Sequence, residues 1–128
     1  MILSFAWTTP ALLAGEKTVT RRDWKEQHAR KFYRGQVVQA YDRSPRFKGR
    51  HVANILIEDP PRIESTADAP EADYIAEGFK HLTAIGALVD GHTPQELWQL
   101  WHDEPRQMYV VRFKLLEPRL VEPRGERI

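Results

Sequence analysis

Residues 14–24 read AGEKTVTRRDW. Lys17 and Thr20 stand three apart, Arg21 and Arg22 follow at once, and only Val19 is apolar between Glu16 and Asp23. A lysine beside a threonine hydroxyl offers a base and a nucleophile. The amine can take the hydroxyl proton when burial or a neighbouring cation keeps it neutral, and Arg21 and Arg22 are such cations. A regular strand would turn positions three apart to opposite faces. A bend after Gly15, or a helical turn, would bring them together. The plain alternative is a solvated basic turn with Thr18 and Thr20 as strand formers.

Glu77, in AEGF, is the second titratable group whose placement asks for a reason. It falls at the expected end of a helix, where the dipole disfavours a carboxylate by a few tenths to about 1 kcal/mol. A nearby lysine would compensate, and Lys17 is the one considered; the alternative is a glutamate on a solvated helix face. Trp7, Trp24, Tyr33, Tyr41 and Phe47 are interleaved with Arg21, Arg22, Arg34, Arg43, Arg46 and Arg50. Stacking rings with guanidiniums are the equipment for unpaired bases and phosphates. Core packing competes for each ring and is the expectation for Trp24 and Tyr33, and for Trp98 and Trp101 on a helix stripe. The five histidines are scattered, and HExxH, GxxxxGK[ST] and GxGxxG are all missing from the chain. No metal or cofactor is expected.

Such groups need a scaffold. At 128 residues the chain fits one domain, and 41% hydrophobic with 29% charged residues places it among ordinary globular proteins. It has no cysteine, which excludes disulfides and thiolate sites. No apolar run approaches the ~20 residues a membrane span needs, and MILSFAW is too short for a signal-peptide core, so a cytoplasmic protein away from membranes is expected. The net charge of +1 hides an asymmetry: residues 1–50 carry 11 Lys and Arg against 4 Asp and Glu, and residues 51–128 carry 8 against 14. A basic half is one mark of an anion-binding or nucleic-acid-binding face; packing of the two halves so that their charges interleave is the other reading.

MILSF reads as a buried strand. Thr8 or Thr9, Pro10 and Gly15 frame a short helix over 9–14. KTVTRR is a connector or short extended piece. DWKEQHARKF is expected as a helix capped by Asp23, and RGQVVQAYD with HVANILIED as a hairpin whose long tip, RSPRFKGR, holds four basic residues. PPRIESTADAP reads as a surface excursion. APEADYIAEGF is a helix ending at Gly78, and HLTAIGALVDG is ambiguous. TPQELWQLWHDE carries a capping box, Thr93 with Glu96. QMYVVRFKLLE is a closing strand, and residues 118–128 an extended or mobile tail. First and last strands that can meet suggest an α+β fold: a small, partly open β-barrel with short helices over its mouth.

Four stretches in this order, ILSFAWTTPALLAGEKTVTRR, YRGQVVQAYDRSPRFKGRHVANILIE, ADYIAEGF and MYVVRFKLL, resemble the ASCH domain family, a branch of the PUA-like barrels. The likeness covers roughly residues 2–116, so residues 1–117 are taken as the domain. Its most specific parts are G-x-K-T-x-T-x-R, Gly15 to Arg22, and A-E-G-F. The resemblance implies a cleft lined by the first motif and a role with RNA or a modified nucleoside. In the small members associated with deacetylation of N4-acetylcytidine, it implies a catalytic set that falls on Lys17, Thr20 and Glu77. Thr20 would attack the acyl carbon, Lys17 would take its proton, and Glu77 would orient the lysine or pass the proton on. Trp7, Gly15, Thr18, Arg21, Arg22, Arg43 and Arg46 would bind the substrate or RNA. The chain departs from those small enzymes by extra segments near 23–34 and 81–105, by the Arg21-Arg22 pair, and by the basic YDRSPRF. The same cleft would suit single-stranded RNA binding without chemistry, or RNA cleavage. No protein partner is implied.

Overall fold

A computed structural model describes residues 1–118, with side chains through Glu117. The expected tail lies, from residue 119 on, outside the described residues. Six strands alternate irregularly with five short helices: β1 Ile2–Ser4, α1 Thr9–Leu13, β2 Val19–Arg22, α2 Glu26–Ala29, β3 Val37–Tyr41, β4 His51–Ile57, β5 Arg62–Ser65, α3 Ala72–Ala76, α4 Phe79–Ala84, α5 Pro94–Asp103 and β6 Gln107–Pro118. The strands form one sheet in the order β1-β3-β4-β6-β2, strongly curled into a half-barrel. β1 joins β3 in parallel, and every other pairing is antiparallel.

The first and last strands do not meet, so the barrel stays open. β1 ends one edge beside β3, and β2 ends the other beside β6. PPRIESTADAP is also more than an excursion, because it contains β5. That strand continues β4 along the same side of β6: Ile57 pairs with Phe113, and Arg62 with Val110. Pro60 and Pro61 interrupt the run because neither has an N–H for the ladder. The helix expected from DWKEQHARKF shrinks to the single turn of α2, with Lys25 rather than Asp23 at its cap. Asp23 instead pairs with Arg106 at 2.7 Å. HLTAIGALVDG resolves into α4 and a turn.

Two cores result. Inside the curl, Ala53, Ile55 and Ile57 alternate along β4 and meet Val38, Val111, Phe113, Leu3 and Phe5, all buried. The second core lies between helices, where Phe79 and Leu82 of α4 pack with Ala11, Val89, Tyr74, Leu97, Trp98 and Trp101. α1 belongs to both, sending Leu12 into the first and Ala11 into the second. Trp24 stacks on Phe32 at the edge of the first core, whereas Tyr33 is 60% exposed. The expected packing of Tyr33 therefore fails, because the chain turns outward at Arg34-Gly35 before β3.

Candidate active site at the seam of the two cores

The cleft opens where the two cores adjoin. It encloses about 280 Å³. Phe5 lines it from the barrel side, and Phe79, Val89, Leu97 and Trp101 from the helical side; Lys17, Thr20, Arg21, Arg22 and Glu77 supply its polar groups, and Ser4, Ala6, Trp7 and Thr8 its rim. Trp7 is 57% exposed. A large apolar ring left in solvent at a cavity mouth is what a stacking platform needs. Ala6 beside it has φ +43, an uncommon conformation for a residue with a side chain.

Backbone hydrogen bonds place the basic segment. The amides of Glu16 and Lys17 both donate to Ala11 O, folding the chain back under α1. The Thr18 amide donates to Ala76 O at 2.7 Å, and Thr18 O accepts from the Phe113 amide at 3.0 Å. Thr18 thus stitches the segment to the end of α3 and to β6 by its backbone, while its side chain faces solvent. Alternation along β2 then sends Thr20 and Arg22 to one face and Arg21 to the other.

α3 brings the carboxylates. Glu77 is its C-terminal cap, and Gly78 follows at φ +87. A Cβ on Gly78 would lie 2.5 Å from Ala11 Cβ and 3.3 Å from Lys17 Cβ. The glycine of AEGF therefore permits both the left-handed turn and the close approach of the Lys17 segment. Lys17 Nζ donates to Glu77 Oε1 and to the Glu77 carbonyl, both at 2.9 Å. Arg21 Nη1 donates to Glu77 Oε2 at 2.7 Å, and Arg21 Nη2 to Asp73 Oδ2 at 2.5 Å. Arg112 of β6 closes the chain on Asp73 with a bidentate pair, at 3.1 and 3.0 Å. Lys17, Arg21, Asp73 and Glu77 are all buried.

Thr20 is buried as well, and its Oγ1 accepts from Arg22 Nε at 3.1 Å. Arg22 Nη2 donates to Ser4 O at 2.7 Å, and the guanidinium lies over the Phe5 ring, 5.3 Å from its centroid. Among the described residues Arg22 forms no ion pair. Burial pushes its guanidinium down to about 10, against the pull of Glu77. Burial also pushes the Lys17 ammonium below its ordinary value; Glu77 opposes this, and Arg22 and Arg21 add to it. Arg21 moves the other way, because Glu77 and Asp73 more than offset its desolvation. Asp73 resists its own burial through Arg112 and Arg21, and its carboxyl is held below the usual range.

Lys17 and Glu77, expected as partners, are in contact, and Thr20 shares their cavity. Trp7, Arg21 and Arg22 join them. Gly15 lies outside the cleft, where its φ of +76 turns the chain after α1. Arg43 and Arg46 stand on the exposed β3–β4 loop and do not line the cleft. That loop is well built: Ser44 Oγ accepts from the Arg46 amide, and a Cβ on Gly49 would lie 1.8 Å from Arg43 O. Asp73, Arg112 and Trp101 were not anticipated at the site. Asp73 precedes Glu77 by four residues on α3, and two like charges at that spacing call for a cation between them. Trp101 does pack on the second core, as its place on a helix stripe implies, but it also reaches the site: Thr66 Oγ1 donates to its carbonyl at 2.7 Å, and the Arg21 guanidinium lies 5.8 Å from its ring centroid.

The described residues contain no cluster of His, Cys, Asp and Glu able to hold a metal ion, and no helix long and apolar enough to cross a membrane. Sequence comparison finds no matching family model and no matching curated protein. One solved structure is similar: the crystal structure of protein EF3133 from Enterococcus faecalis V583, described with the family model DUF984. It shares 12% identity, with a TM-score of 0.58 over 97% of this chain and 84% of that one. At that identity the likeness establishes a common fold: a small barrel-like sheet carrying short helices.

Proposed function

We propose that this chain is an ASCH-type, PUA-like domain whose cleft hydrolyses an acylated amine on a pyrimidine nucleoside or similar small ring. The observation that carries the reading is the convergence of Lys17, Thr20 and Glu77 on one aromatic-walled cavity. The volume is near the lower end for small-molecule sites, which favours a single ring over a polymer. Trp7 and Phe5 offer faces for that ring.

Thr20 Oγ attacks the acyl carbon and gives its proton to neutral Lys17. The C–O bond forms as the carbonyl π pair moves to oxygen. Arg22, 3.1 Å from Thr20 Oγ1, is positioned to stabilise that charge. The tetrahedral adduct collapses, the C–N bond breaks, and the Lys17 ammonium protonates the departing amine. Water then attacks the threonyl ester as Lys17 takes its proton, and the resulting ammonium returns a proton to Thr20 Oγ as the acyl C–O bond breaks, releasing the acid. Glu77 holds Lys17 in place throughout.

Incubation with N4-acetylcytidine tests this. Cytidine and acetate should form, and Thr20→Ala and Lys17→Ala should abolish turnover while leaving the melting transition intact. Unchanged hydrolysis in either variant refutes the assigned roles. A second reading, retention or cleavage of single-stranded RNA, draws on the exposed β3–β4 loop, where Arg43 and Arg46 precede Phe47, itself 65% exposed. Phosphate tracking would make affinity fall steeply with salt, whereas a neutral nucleoside should hardly respond.

A further inference from the structure

We propose that Arg21 is the residue that frees Lys17 to act as a base, by serving as the counter-ion of Glu77 in its stead. The inference rests on the hydrolytic reading of the cleft.

Five side chains form one line of alternating charge: Lys17, Glu77, Arg21, Asp73 and Arg112, each bonded to the next. Two carboxylates face three cations, so the line carries one surplus positive charge. Burial makes that surplus costly, and it is relieved at the member that most readily gives up a proton. Arginine stays protonated, so the proton leaves Lys17. With Lys17 neutral, Glu77 is still balanced by Arg21, and Asp73 by Arg112. Without Arg21, Glu77 would have only Lys17 to neutralise it, and the pair would settle as an ordinary buried salt bridge.

The surroundings add no competing group. α3 presents Glu77, and Asp73 through Arg21. β2 presents Arg21 and Arg22, both of which disfavour a second positive charge. α1, folded against the segment, contains only threonine, proline, alanine and leucine. α4 contributes Phe79 to the cleft. Arg21 touches no reacting atom in this scheme, so it is a positioning residue.

The test follows Lys17 directly, by NMR of the protein labelled at lysine Cε, with the Lys17 signal identified by its loss in Lys17→Arg. In the wild type it should titrate below the other lysines. Arg21→Met should move its midpoint to higher pH. Asp73→Asn removes a negative charge from the line and should move it to lower pH. A structural role for Arg21 gives no reason for opposite displacements. A folded Arg21→Met with the midpoint unmoved overturns the proposal, as does movement of both variants in one direction. Should Arg21→Met fail to fold, Asp73→Asn decides alone: acid movement supports the proposal, and none or alkaline movement overturns it.

The rate of N4-acetylcytidine hydrolysis should follow the same displacements. At pH 7, Arg21→Met should lose about tenfold or more, recover as pH rises, and be partly rescued by Arg21→Lys. Absence of hydrolysis at every pH in the wild type would sink the hydrolytic reading, while the NMR arm would still decide whether Arg21 governs Lys17.

Discussion

Gly78→Ala perturbs the turn on which the cleft depends without replacing a titratable group. Gly78 sits at φ +87, where an alanine costs roughly 1–2 kcal/mol in backbone strain. The new Cβ would also meet Ala11 Cβ at 2.5 Å and Lys17 Cβ at 3.3 Å. Neither neighbour is the far end of a flexible chain, so α1 or the Lys17 segment must shift, and overpacking of this kind costs about 1–3 kcal/mol. Together the penalty is about 2–5 kcal/mol, a large part of the 5–15 kcal/mol typical of a domain. Differential scanning calorimetry should show a fall in melting temperature on the order of 10 °C. The same displacement loosens the contact of Lys17 with Glu77, so kcat for the proposed hydrolysis should fall even well below the melting range. A melting temperature within about 2 °C of wild type would show that the turn relaxes freely and that close approach of Gly78 does not set the site.

Trp7→Ala removes the exposed ring at the cleft mouth and should weaken binding of a pyrimidine nucleoside about tenfold by calorimetric titration, with little change in melting, because the ring belongs to neither core. Asp73 has a folded pKa below its unfolded value of 3.8, so its contribution to stability is complete above that value and lost as pH falls through the folded one. Urea unfolding should show the gap between wild type and Asp73→Asn narrowing as pH drops below 3.8. Lys17 has a folded pKa below 10.5, so the unfolded chain binds the extra proton and stability rises with pH between the folded value and 10.5. Lys17→Met should remove that rise, and a slope equal to wild type across the window would mean that the amine is not depressed.

The parts of this architecture that obey local rules could be read from the chain. Ala53, Ile55 and Ile57 alternate as a half-buried strand should, and Thr93 with Pro94 opens α5, its Oγ1 accepting from the Glu96 amide at 3.1 Å. The Glu77–Lys17 contact was legible for a different reason: a carboxylate at a helix C-terminus needs a compensating cation. Arg112 gave no such signal. Val111 and Phe113 mark it as the outward position of β6, and strand periodicity is silent on whether a helix covers that face. β5 was hidden by Pro60-Pro61, which marks a break in a strand as readily as a surface loop. The partly open barrel was legible, but that its first and last strands do not meet was not, because pattern identifies strands and not their neighbours, and β1 found its partner in β3.

Departures from those rules gather around one cavity. Lys17, Arg21, Asp73 and Glu77 are buried there together. Arg21 Nε is buried with no hydrogen-bond partner among the described residues, at a cost of about 1–3 kcal/mol. Ala6 holds a positive φ at the rim, and Trp7 is left in solvent. Apolar side chains of similar volume would stabilise such a site better than charges do. The core inside the sheet shows that this sequence can build such packing, since eleven buried apolar residues cluster there. Stability therefore does not account for the charged line at the seam. On the proposed hydrolytic reading, an amine kept neutral in the same cavity as a hydroxyl would account for it, and also for why the strain, the exposed ring and the guanidinium of Arg22, which has no ion pair among the described residues, all line one cavity with Thr20.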